Sequence, residues 1–245
     1  MFVGNDIVDL TLPETKDKAE NKSFMSRVFD SHELACINSA AKPNRVLWSI
    51  WAAKETAFKI ALKLKKEVIF SPKKFSVQCD AFNAQGQPLS GLSGFVNFEN
   101  HFFPVRWDYK QGYVHCLGLG ISANEKRVKE SLAPLHKAIH IGDTRSSQRP
   151  YSKRDSLILF SIGNTINSAV NDESHDVRDL AKRLISQIYD GDFEIVKSLS
   201  KHGSGTPVIF SRGHPVDGLD LSLSHHGKFV AAAVTMSSPS FVRRG

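Results

Sequence analysis

Residues 46–64, VLWSIWAAKETAFKIALKL, decide the reading of this chain. Val46, Ile50, Ala53, Ala57, Ala61 and Leu64 recur at spacings of three and four, the period of a helix with one buried face. Asn44, just after Pro43, is its expected N-cap. On that helix Trp51, Glu55 and Lys59 fall on one stripe at four-residue steps, with Lys54 beside them. Two readings follow. The stripe is a solvated charged face, whose Glu-to-Lys pair contributes roughly a few tenths of a kcal/mol; or it supplies a carboxylate for a metal and lysines for phosphate.

Outward from this helix, FVGNDIVDL (2–10) suits a strand interrupted by Asp6, and a helical pattern runs from about 23 to 41. After Pro72 the texture alternates, and FVNFENHFFPVRWDYKQGYVHCLGLG (95–120) predicts two or three strands with a turn at 111–112. Residues 122–156 are polar and basic and form the candidate linker. SLILFSIGNTINSAV (156–170) and VRDLAKRLISQIY (177–189) are read as helices, then a loop KHGSGTP (201–207) and strands around 208–210 and 219–236. Two portions, each mixing helices with strands, imply a segregated α+β class.

Composition narrows the function. The chain has 245 residues, 41% hydrophobic and 23% charged, as globular proteins do, which excludes a disordered chain. Its net charge of +7 comes from 15 basic against 12 acidic residues in 1–123 and 17 against 13 in 124–245, so the excess is spread rather than held in a tail. A spread basic surface favours an anionic partner. Cys36, Cys79 and Cys116 lie far apart, which argues against a disulfide framework or zinc ribbon. The opening segment carries Asp6 and Asp9 and does not read as a signal peptide, and no apolar run approaches the ~20 residues of a membrane span. A cytoplasmic protein is expected. Nucleic-acid binding would rest on the charge alone, with no recognised motif and no aromatics clustered among the basic residues.

Asp6 falls where alternation places an inward residue, and a buried acid needs a partner. It is either a strand-end turn residue or one of two carboxylates, with Glu55, that share a divalent cation; Mg²⁺ takes one or two protein carboxylates and leaves its other positions to water and phosphate. Glu33 lies at a helix start beside His32. Ser224 and His225 lie where a strand meets a turn, without the further ligands zinc needs. KHGSGTP lacks the P-loop pattern. Arg145, Arg149, Lys153 and Arg154 form a basic cluster that is either solvated linker or phosphate-binding.

Together these residues resemble the 4'-phosphopantetheinyl transferase superfamily. Its W-x-x-K-E-x-x-x-K is matched by Trp51, Lys54, Glu55 and Lys59, its G-x-D strand by Gly4 and Asp6, its F-x-x-x-E helix start by Phe29 and Glu33, and its S-H strand by Ser224 and His225. FSVQCDAFNAQGQ and PVRWDYKQGYVHCLG look like the paired strands after the lysine-rich helix of the surfactin-synthetase-activating type, YSKRDSLILFSIGNTI like its N-terminal helix, and SGTPVIF like its G-K-P segment. The order differs: residues 1–121 look like that type's second half and 139–236 like its first, joined by a linker at 122–138. This resembles a circularly permuted version, which is tolerated where the original termini lie close together. Val8 stands where that type has a second acid, Thr206 replaces the lysine of G-K-P, and Thr56 occupies a small-residue position.

The resemblance implies a pseudo-dimer of two α+β halves, 1–121 and 139–245, with the site between them. It implies transfer of 4'-phosphopantetheine from coenzyme A to a carrier-protein serine, by a monomer, with Mg²⁺ or Mn²⁺. Asp6 and Glu55 would hold the metal, and Glu33 would accept the serine proton. Lys59 would assist the leaving group, with Lys54 in support. Arg149, Lys153, Arg154, Thr206, Ser224 and His225 would bind coenzyme A. A degenerate module that binds coenzyme A or a carrier without turnover is the alternative, against which stands the retention of Asp6, Glu33, Glu55 and Lys59. Neither nucleic acid nor membrane is an expected partner.

Overall fold

The computed structural model describes residues 1–65, 67–78, 93–110, 112–120, 135, 137–141, 157–165, 173–198 and 205–236. Strand β1 (Phe2–Asp9) is followed by helices α1 (Lys22–Val28), α2 (Ser31–Ser39) and α3 (Pro43–Leu64). Strands β2 (Phe75–Val77), β3 (Ser93–Phe98), β4 (His101–Lys110) and β5 (Tyr113–Gly120) then form an antiparallel sheet with β1, in the order β1-β5-β4-β3-β2. Gly112, at φ +95°, serves the tight β4–β5 turn.

Helix α3 lies on one face of this sheet. Val46, Ile50, Ala53, Ala57 and Ala61 of its apolar stripe are buried, as its period predicts, and Leu64 at its end is half-buried. Pro43 occupies the first turn after Lys42 as N-cap, and Asn44 does other work: its side chain accepts from Ala19 N and donates to Thr15 O. The helix sits unusually close to β1 and β5. A Cβ on Gly4 would fall 2.4 Å from Thr56 O, and one on Gly120 2.3 Å from Ile60 Cγ2. Glycine at position 4 is therefore a packing requirement of the strand that carries Asp6.

The opposite face of the sheet packs against a second sheet. This is built from β6 (Ile139–His140), β7 (Leu157–Asn164), β11 (Leu219–His226) and β12 (Phe229–Met236), in the order β11-β12-β7-β6. Val3, Leu117 and Leu119 meet Leu135, Ile158, Phe160 and Ala233, while Ile7 and Tyr113 meet Phe229 and Ala231. Helix α4 (Glu173–Ile185) covers the far side of this sheet, where Val177, Leu180 and Leu184 pack with Leu159, Val230 and Val234. Strands β8 (Glu194–Lys197), β9 (Pro207–Ser211) and β10 (His214–Pro215) form a small third sheet.

The architecture is mixed α+β. Two further expectations are corrected. The segment expected as a helix over 156–170 is β7 through Asn164, hydrogen-bonded along its length to β12. Ile158 and Phe160 face the first sheet and Leu159 faces α4, so the strand is apolar on both sides and its continuous run mimics a buried helix. Its likeness to an N-terminal helix falls with it; the helix of this region is α4. Residues 219–236 are a hairpin, β11 and β12, turning at Gly227, which has φ +56°.

Candidate functional site

The site forms where two sheet edges meet. β1 ends one sheet and β11 ends another, and they run side by side in the same direction. The antiparallel pairing of β1 with β5 leaves the N–H groups of Val3, Asn5, Ile7 and Asp9 on the outer edge. No backbone ladder covers them. Side chains of β11 do: Asp220 Oδ2 accepts from Val3 (2.6 Å), Ser222 Oγ from Asn5 (2.9 Å), Ser224 Oγ from Ile7 (3.1 Å) and His226 Nδ1 from Asp9 (3.0 Å). As an acceptor at Nδ1, the His226 ring carries its proton on Nε2. Two of the outward carbonyls are taken by α3: Lys63 Nζ donates to Val3 O and Lys59 Nζ to Asn5 O. An open strand edge is thus closed without adding a strand.

Within this seam stands Asp6, 8% exposed. Its Oδ1 accepts from Lys59 Nζ (2.9 Å) and from Ser224 Oγ (2.8 Å); among the described residues no donor reaches Oδ2. Glu55, one turn before Lys59 on α3, is half-buried. Burial, reinforced by the negative charge of Asp6 and opposed by Lys59, pushes its carboxyl up to about 7. Two neighbouring carboxylates, Asp6 with an oxygen that no donor among the described residues reaches, form a donor set suited to a hard cation. Among the described residues no group of three or more His, Cys, Asp or Glu side chains gathers in this way, so a cation here would complete its shell from water and substrate.

The seam opens into a cleft of about 240 Å³. Lys59 and Lys63 contribute from α3, Arg178 and Ser174 from α4, Lys197 from β8, Thr206 from before β9, and Ser222 and His225 from β11. Lys63 is committed elsewhere. It donates to Asp220 Oδ2, Val3 O and Leu221 O, and burial holds its ammonium below the usual lysine range. Arg178, bonded through Nη1 to Ser174, and Lys197 bring positive charge into the cleft.

The residues expected at the site fall into three groups. Asp6, Glu55 and Lys59 come together, and Lys59, Thr206 and His225 share the cleft. Thr206 contributes wall rather than charge, its backbone N–H bonded to Ser198 Oγ. Glu33, Lys54 and Ser224 do not line the cleft. Lys54 Nζ lies 2.7 Å from Glu33 Oε1 with neither side chain exposed, and donates also to Pro72 O and Phe75 O. Glu33 closes a capping box with Asp30 at the start of α2 and accepts from Val77 N. Burial pushes its carboxyl up, against the pull of Lys54. This pair ties α2, α3 and β2 together in the core. Ser224 Oγ accepts from Ile7 N and donates to Asp6 Oδ1. Arg149, Lys153 and Arg154 lie outside the described residues.

Arg178 and Lys197 were missed. Arg178 follows Val177 on an amphipathic helix and Lys197 ends an exposed strand, so both look like ordinary surface charges. No helix among the described residues is long and apolar enough to cross a membrane.

Compared with known proteins, residues 2–118 match the sequence model of the 4'-phosphopantetheinyl transferase superfamily. The match spans β1 to β5 and so includes Asp6, Glu55 and Lys59, and it makes transfer of a phosphopantetheine group the activity suggested for the chain. No curated protein matches it.

Proposed function

We propose that the chain transfers 4'-phosphopantetheine from coenzyme A to a serine of an apo-carrier protein, with Mg²⁺ held by Asp6 and Glu55. The observation that carries this reading is that Lys59, bonded to Asp6 and close to Glu55, lines a cleft that Arg178, Lys197 and His225 also line. Carboxylates for a cation at one end and cations for phosphates at the other suit a pyrophosphate joined to a further phosphate.

Bound there, Mg²⁺ would neutralise charge on the pyrophosphate oxygens. Lys59 would exchange part of its contact with Asp6 for a pyrophosphate oxygen and stabilise the departing bisphosphate. Arg178 and Lys197 would hold the 3'-phosphate, with His225 on the remaining phosphate surface. Glu55, beside Asp6, would receive the serine proton through water in place of Glu33, whose carboxylate is paired with Lys54 in the core. The serine oxygen bonds to the β-phosphorus as the bond to the adenosine bisphosphate breaks, which releases adenosine 3',5'-bisphosphate.

The strand arrangement supports a permuted order of two halves within one monomer. β12 runs back along β11 and ends where β1 begins, with Thr235 Oγ1 3.5 Å from Met1 O. A short connection there would restore the order of the surfactin-synthetase-activating type. The excess of basic residues suits an acidic carrier protein. The test is mass spectrometry of an apo-carrier incubated with the protein, coenzyme A and Mg²⁺. A phosphopantetheine mass gain that EDTA abolishes is expected; no gain on fatty-acid, polyketide or peptide carriers would overturn the reading.

A further inference from the structure

We infer that Ser224 is a positioning residue for the Asp6 carboxylate, holding Oδ1 so that Oδ2 is presented to a divalent cation. The cation site is therefore completed by a strand more than two hundred residues from Asp6. The inference rests on the reading of Asp6 and Glu55 as cation ligands and adds a residue that touches neither the cation nor coenzyme A.

The argument is a count of hydrogen-bonding capacity. A serine hydroxyl has one proton to donate and lone pairs to accept with. The Ile7 N–H already donates to Ser224 Oγ at 3.1 Å, so the hydroxyl is held from one side by the backbone of β1. Its proton has an acceptor at 2.8 Å, Asp6 Oδ1. Ser224 is 5% exposed, which leaves water little access to compete. Lys59 Nζ reaches the same oxygen at 2.9 Å. Two donors on Oδ1 and none among the described residues on Oδ2 polarise the carboxylate in one direction and fix its torsion. A ligating carboxylate held by such outer contacts commonly loses about 10–100-fold in metal affinity when they are removed.

Ser222 provides an internal control. It closes the neighbouring rung of the same seam, accepting from Asn5 N at 2.9 Å, and is as buried as Ser224. It has no bond to Asp6. A role confined to clasping β1 against β11 would make the two serines equivalent; a role in setting Asp6 would separate them.

The experiment measures Mn²⁺ binding to the full chain by electron paramagnetic resonance, without coenzyme A, together with the unfolding temperature in EDTA. Ser224→Ala is expected to weaken Mn²⁺ binding at least tenfold, and Ser222→Ala less than threefold, with similar falls in unfolding temperature. Ser224→Cys, close in size but a weak donor, guards against a Ser224→Ala variant that fails to fold, and is expected to weaken binding as well. Coenzyme A affinity in EDTA is expected to be unchanged by Ser224→Cys. Mn²⁺ binding of Ser224→Ala or Ser224→Cys equal to wild type would overturn the inference. So would equal losses in the two alanine variants, or a loss of coenzyme A affinity in EDTA, which would make Ser224 a phosphate contact. If Asp6→Asn also bound Mn²⁺ as wild type does, the cation reading itself would fail and take this inference with it.

Discussion

Lys63 of α3 and Asp220 of β11 form an ion pair at 2.8 Å across the seam between the two main sheets. The ammonium also holds Val3 O and Leu221 O, and the carboxylate also holds Val3 N–H. Strand β1 is thus gripped at one residue by both members of the pair. Removing one member leaves the other's charge in a poorly solvated place.

Lys63→Met or Asp220→Asn alone should therefore cost about 3–5 kcal/mol of stability. The double variant should cost less than the sum of the two. Urea unfolding of the three variants checks this; strict additivity would mean that the pair acts as two independent groups.

Glu33→Gln should behave as a stability variant. The capping box loses its charge and Lys54 is left buried without its counter-ion, at a cost of about 3–5 kcal/mol. Protein that remains folded should turn over at a rate within a few-fold of wild type. An unchanged unfolding temperature with slowed turnover would return Glu33 to the chemistry.

Glu55 sets a pH dependence whose sign follows from its direction of shift. Its folded carboxyl is raised from 4.5 to about 7, so between those values the folded state binds more protons than the unfolded state. Without metal, its contribution is fully present below pH 4.5 and lost as pH rises through 7. In EDTA, the wild type should lose stability relative to Glu55→Gln across that window, and Mg²⁺ should restore it at neutral pH in the wild type only. Parallel melting-temperature curves for the two proteins would contradict the site.

Arg178→Ala and Lys197→Ala should each weaken coenzyme A binding. A charge-assisted hydrogen bond contributes about 1.5–3 kcal/mol, or roughly 10–150-fold. The loss should shrink when dephospho-coenzyme A replaces coenzyme A. Calorimetry on wild type and both variants with each ligand, six pairs, is the measurement; undiminished affinity in both variants would move the phosphate subsite out of this cleft.

Local pattern carried much of this. The three- and four-residue spacing of 46–64 defines α3, and the chemistry of its stripe puts Glu55 and Lys59 on one side of it. The Asp30-Ser-His-Glu33 run even spells the capping box that the structure contains. Over 157–164 periodicity misled, because a strand buried on both faces has no polar face to show its period.

The sequence by itself determined the identity of the groups: which carboxylates, lysines and serines the chain owns, and that α3 must bury one face and expose another. Only the tertiary structure decided which of those groups meet. Lys54 and Lys59 are five residues apart on one helix, yet one is sealed in the core against Glu33 and the other opens on the cleft beside Asp6. Ser224 reaches Asp6, and Asp220 reaches Lys63, because two sheet edges run side by side and each outward N–H of β1 needs an acceptor. That need is set by the satisfaction of buried backbone groups across the whole fold, and no window of local sequence contains it.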